Sequence, residues 1–229
     1  MSDDGPVVDL ARGDRIGSFL ITSVLGHGKE GVAAAVIDEI IQLPRVLKAY
    51  PAEPQWVERL RYVAKAFHAL SEIGISPRPI IGGVTVSSRS EPVAYLVVDH
   101  RVGRPLDEMI QNKRWTVLRA RKLVVAVAEA VAQIHEAGWS MGDFEAGQNI
   151  VLYEGKPLFI DIGLADDLDP GPFHQEDFEC LASIALKLGE RCGDDLLVEV
   201  SASLLERSLR RIDRRSFAVW LRSSPLSQI

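Results

Sequence analysis

Residues 140–163, SMGDFEAGQNIVLYEGKPLFIDIG, hold two aspartates and an asparagine, Asp143, Asn149 and Asp161, between short β-like runs. Ile150 to Tyr153 and Pro157 to Ile160 read as a hairpin turning at Glu154-Gly155. A hairpin brings its two ends together, so Asn149 and Asp161 are expected side by side. Two oxygen-bearing side chains fixed on strand ends suit a hard cation such as Mg²⁺. Asp143, on the preceding loop, is expected near that cation. A carboxylate there can accept a proton from an incoming hydroxyl.

Upstream, residues 1–13 read as a flexible leader and a strand is expected from Arg15 through Ile16, Phe19, Ile21, Val24 and Leu25. It runs into Gly26-His27-Gly28-Lys29-Glu30-Gly31, a G-x-G-x-x-G stretch, and a second β-like run starts at Val32. Glycines in such a turn allow a phosphate to approach the backbone N–H groups closely. Lys48 interrupts the apolar run Val46 to Tyr50. A buried lysine is costly unless its ammonium meets an anion. The plainer alternative is an edge-strand lysine facing water. Pro54 opens a helix expected to run to Glu72, with Trp56, Leu60, Val63, Phe67 and Leu70 on one face. Strands are expected over Pro79 to Val86 and Pro92 to Val98, with a polar turn between.

A second helix is expected from Thr116 to Ala137, its apolar stripe carrying Leu118, Val124 or Val125, Ala128, Val131 and His135. Gly138 stops it. His135 reads as a packed helix residue, and the other histidines lack the spacing of a zinc site. Beyond Gly163 an acidic, turn-rich loop precedes a helical run from Asp177 to Gly189. Two more helix-like stretches follow, about 194–210 and 213–221. Arg207, Arg210, Arg211, Arg214, Arg215 and Arg222 there form either a solvated basic face or a docking patch for an acidic partner.

The chain has 229 residues and a net charge of -6, an acidic balance that argues against general nucleic-acid binding. Two cysteines are too few for a disulfide scaffold and point to a cytoplasmic setting. No apolar run reaches the roughly 20 residues that span a bilayer.

In order along the chain, these pieces resemble the protein-kinase fold. Met141-Gly142-Asp143, Asn149 and Asp161-Ile162-Gly163 match its H-R-D-x-x-x-x-N and D-F-G motifs. Three departures stand out. Met-Gly replaces His-Arg, one extra residue separates Asp143 from Asn149, and isoleucine replaces phenylalanine. The resemblance covers about Arg15 to Gly189. It implies an α+β, two-lobed protein-kinase-like fold, with a small β-rich N-lobe and a helical C-lobe truncated at its C-terminal end. The N-lobe would span 14–98, the hinge 99–103 and the C-lobe 104–229, with ATP between the lobes.

By the same resemblance, Gly26, Gly28 and Gly31 cover the ATP phosphates and Lys48 orients them. The Asp99 carbonyl and Arg101 amide meet the adenine edge, with Val98 bordering its pocket. Asn149 and Asp161 hold Mg²⁺, and Asp143 orients or deprotonates the acceptor hydroxyl. Asp177 resembles the buried aspartate that braces the catalytic loop. The helix glutamate that pairs with the strand lysine has no clear counterpart: Glu58 points away, Glu53 precedes the proline, and Val63 is a hydrophobic residue at the usual place. No A-P-E motif follows Asp161, so a full activation segment is not expected. Three functions remain open: a compact bacterial-type Ser/Thr protein kinase, a small-molecule kinase, and a pseudokinase that binds nucleotide or a partner without turnover.

Overall fold

Alternating apolar residues separated by tight turns build an antiparallel sheet in the first half of the chain. The computed structural model describes residues 8–28, 31–101, 103–141, 147–161, 175–208 and 222–224. It divides into two units, Met1–Glu72 with Pro77–Arg101, and Ile73–Ser76 with Val102–Ile229. In unit 1, the run expected as one strand from Arg15 is broken at Gly17, where φ is 58°. There β1 (Arg15–Ile16) folds back on β2 (Phe19–His27). The sheet continues through β3 (Val32–Asp38), β4 (Leu43–Pro51), β5 (Pro79–Val86) and β6 (Pro92–Asp99), in the order β1-β2-β3-β4-β6-β5.

One face of that sheet buries Ile21, Val32, Ala34, Leu47, Ala49 and Val97. Val8 and Leu10 enter the same core, so the stretch 8–13, expected as part of a loose leader, is anchored. Arg89 pairs with both Asp9 and Asp14 beside it. Helix α1 (Pro54–Glu72) begins and ends where the sequence predicts. It packs on β4, β5 and β6 through Leu60, Val63, Ala66, Phe67 and Leu70.

Unit 2 joins helices to a small sheet of order β7-β8-β9. Its elements are β7 (Arg104–Pro105), α2 (Leu106–Asn112), α3 (Val117–Glu136), β8 (Ile150–Tyr153), β9 (Lys156–Phe159), α4 (Gln175–Cys192) and α5 (Asp195–Ser208). The Thr116 side chain caps α3 by accepting from the Arg119 N–H at 3.3 Å. Val124, Ala128, Val131 and His135 are buried as expected, but Leu118 is 58% exposed. At about 100° per residue it lies roughly 120° around the helix from Val124, off the stripe. Gly189 was expected to end the helix begun at Asp177, yet α4 runs three residues further. A Cβ at Gly189 would lie 3.1 Å from Leu197 Cβ, so this glycine lets α5 come close.

Arg121 of α3 grips Asp194, just before α5, with two hydrogen bonds of 2.7 Å. That guanidinium holds the Asp194 carboxyl below the usual carboxylate range. No helix among the described residues is long and apolar enough to cross a membrane.

Candidate functional site

In unit 2 the site is built from the end of α3 outward. The helix closes at Ala137 and Gly138, the latter at φ 86°, and the chain dips inward to Met141, which is fully buried. There the Met141 N–H donates to Asp177 Oδ2 at 3.1 Å, and His135 Nε2 donates to the same oxygen at 2.7 Å. Asp177 lies in the first turn of α4 and is 0% exposed. One buried carboxylate oxygen therefore ties the last turn of α3 to the loop that leaves it. A carboxylate in such a place must be fully hydrogen-bonded to persist. Asp143 follows two residues after Met141 and, with Gly142 and residues 144–146, lies outside the described residues.

The chain is described again from Gly147, at φ 97°, where a Cβ would press on Leu106 at 3.1 Å. Strands β8 and β9 then pair in the expected hairpin, with Ile150 opposite Phe159. Glu154 and Gly155 take φ values of 52° and 81°, the positive pair that a type I′ turn needs. Past the strand ends the Ile160 N–H donates to the Asn149 carbonyl at 2.9 Å, and Asp161 is the next residue. Asn149 and Asp161 are thus neighbours at the open end of one hairpin, and both are half-buried. The Phe159 N–H donates to the Ile75 carbonyl at 2.8 Å, which fastens the segment Ile73–Ser76 to this hairpin. Ile162 and Gly163 lie outside the described residues.

In unit 1, Lys48 sits on β4, between Ala33 of β3 and Leu96 of β6. It is an interior strand position, and Lys48 is only 7% exposed, so the edge-strand alternative does not hold. Its Nζ lies 5.3 Å from the centroid of the Phe67 ring, over the ring face. Glu58 instead pairs with Arg61 at 3.0 Å on the exposed side of α1. Phe67 is an α1 residue set against the lysine.

The Gly-rich turn closes with the Gly28 N–H donating to the Gly31 carbonyl at 2.8 Å. Gly26 pairs with Ala33, and nothing would meet a Cβ there. At Gly31 a Cβ would lie 2.2 Å from the Ala49 carbonyl oxygen, a position no other residue can take without moving the strand. Lys29 and Glu30 lie outside the described residues.

At the end of β6, Asp99 Oδ1 accepts from Arg45 Nη1 at 2.8 Å, and Oδ2 from Arg101 Nη2 at 3.3 Å. The Asp99 side chain is held by these two arginines, which leaves the role expected of it to its backbone. Val98 is buried. Of the arginines expected near the C-terminal end, Arg222 is exposed; Arg210, Arg211, Arg214 and Arg215, and the side chain of Arg207, lie outside the described residues.

Two contacts escape a reading of the sequence. His135 fits the apolar stripe of α3, and although Asp177 is expected to be a buried bracing aspartate, nothing local marks its contact with His135, 42 residues earlier. Phe67 likewise reads as one more core residue of α1.

No protein-family model matches the chain, and no curated protein matches it. Solved structures do. The chain is similar to the kinase domain of Mycobacterium tuberculosis PknI, at 16% identity and a TM-score of 0.63, over 96% of this chain and 100% of that one. A point mutant of the same domain aligns at 17% identity and a TM-score of 0.63, over 94% and 99% of the two chains. Likeness at this identity concerns the fold: the chain has the α+β protein-kinase-like fold.

Proposed function

We propose that the chain is an ATP-dependent phosphotransferase that passes the γ-phosphate to a hydroxyl, that of a serine or threonine side chain in a protein. The observation that carries this reading is the Asn149–Ile160 hydrogen bond, which leaves Asn149 and Asp161 adjacent at the mouth of a rigid hairpin. An amide oxygen and a carboxylate suit Mg²⁺, a hard cation that prefers oxygen donors. When bound, Mg²⁺ neutralises charge on the phosphates of the nucleotide.

The remaining steps belong to side chains and backbone of this protein. In unit 1, Lys48 orients the phosphates, and the turn at Gly26, Gly28 and Gly31 covers them with backbone N–H groups. The Asp99 carbonyl and Arg101 amide meet the adenine edge. In unit 2, Asp143 orients the acceptor hydroxyl and takes its proton. Asp177 supports that role by holding the Met141 backbone, two residues upstream. Catalysis of this kind is mainly positioning and electrostatics.

One observation favours a second reading. Helix α1 sets a phenylalanine, not a carboxylate, against Lys48, as in a pseudokinase that binds nucleotide without turnover. ADP release from Mg·ATP, with ³²P transfer to protein or to a small-molecule extract, separates these readings and also detects a small-molecule acceptor. Lys48→Met and Asp161→Asn are each expected to lower transfer by about 10²-fold or more. Unchanged turnover in either variant rules out the assigned roles.

A further inference from the structure

We infer that Phe67 is the positioning residue of Lys48, holding the ammonium by its ring face where a helix carboxylate would otherwise form an ion pair. The inference rests on the role proposed above for Lys48. Lys48 is nearly buried on an interior strand, where an ammonium needs favourable contacts to offset the loss of water. The face of an aromatic ring carries negative charge density and attracts a cation within about 6 Å of its centroid. The Lys48 Nζ is 5.3 Å from that of Phe67. Phe67 is itself 0% exposed, and Val63, Ala66 and Leu70 of the same helix face are buried with it. Close packing of that kind fixes the ring. The carboxylates of α1 are elsewhere: Glu58 is exposed and bound to Arg61, and Glu72 is exposed at the last helical position.

A ring face and a carboxylate hold an ammonium differently. A carboxylate takes its N–H donors in strong hydrogen bonds and cancels its charge. A ring attracts it without a net charge, so an arriving phosphate does not have to displace a carboxylate of α1. A carboxylate on a long side chain can also swing into water, which uncouples the lysine. A buried phenylalanine cannot leave without opening a cavity in the core. The ring therefore holds Lys48 in every state of the folded unit, with no on–off step at α1.

The test begins with the wild-type protein labelled with ¹³C at the lysine ε-carbon, its Lys48 signal assigned by its loss in Lys48→Met. Lying over the ring, the Lys48 ε-methylene protons are expected upfield of those of the other lysines. Phe67→Leu keeps an apolar side chain but removes the ring. It should return that signal to the common position and raise the Kd for Mg·ATP by about 2- to 30-fold. A wild-type Lys48 signal among those of the exposed lysines overturns the inference, and so does a Phe67→Leu protein with signal and Kd both unchanged. If Phe67→Leu does not fold, the wild-type spectrum alone decides. A shifted Lys48 signal in a wild-type protein that binds no nucleotide leaves the ring contact standing and removes the phosphotransferase reading.

Discussion

Replacing Asp177 with alanine should loosen unit 2 at the loop that carries Asp143. The carboxylate oxygen Oδ2 accepts from two buried donors, His135 Nε2 at 2.7 Å and the Met141 N–H at 3.1 Å. Alanine leaves both without that acceptor at a site away from bulk water, Met141 being 0% and His135 1% exposed. An orphaned buried donor costs about 1–3 kcal/mol, so the pair should cost about 2–6 kcal/mol. That is a large share of the roughly 5–15 kcal/mol that holds a folded domain. Asp177→Asn keeps an oxygen that can accept from both donors and loses only the charge, so it should cost less than alanine. Two units need not unfold together, so the transition is best followed in urea by hydrogen exchange on peptides from α3 and α4. The Met141 amide should exchange faster in both variants. An Asp177→Ala protein within about 1 kcal/mol of wild type, with Met141 still protected, would refute the reasoning.

Gly31→Ala should destabilise unit 1 by about 1–3 kcal/mol, because the new Cβ meets the Ala49 carbonyl at 2.2 Å and β3 must shift; thermal unfolding reads this directly. Glu154→Asn should stabilise unit 2 by up to about 1 kcal/mol, since asparagine tolerates the φ of 52° that strains a glutamate; an unchanged urea midpoint would count against the turn assignment. Asp194 gives a pH dependence of known sign. Its carboxyl titrates below its unfolded value through the hydrogen bonds from Arg121. The stabilisation is thus fully present above the unfolded value, about 3.9, and is lost as pH falls through the lower folded value. Asp194→Asn should flatten the stability profile in that acid window, as followed by circular dichroism.

Much of the fold was legible wherever the signal was local. Helix α1 announces itself by Pro54 and a stripe of apolar residues, and the β8–β9 hairpin by two short runs around Glu154-Gly155. The adjacency of Asn149 and Asp161 followed from that hairpin alone. Features made by distant partners were not legible. Val8 and Leu10 show no periodicity of their own, and only the sheet gives them a place. The short pieces β7 and α2 are too brief for a repeating pattern. Arg121 and Asp194 are ordinary surface residue types until the fold brings them together across 73 positions. At the site, the lysine and the aspartates stood out because charged groups in apolar runs are rare. The ring against Lys48 did not, because phenylalanine in a helix stripe is what any core requires.

The burial of Val8 and Leu10 has a consequence for how the protein is made. These residues leave the ribosome well before the β6 residues that share their core, Val93 and Val97, which emerge only after about 85 more have been added. At roughly 5–20 residues per second, that is a wait of about 4–17 seconds. The nascent chain therefore carries two unsheltered apolar residues until β6 arrives. Unit 1 can close only once translation has passed its far end.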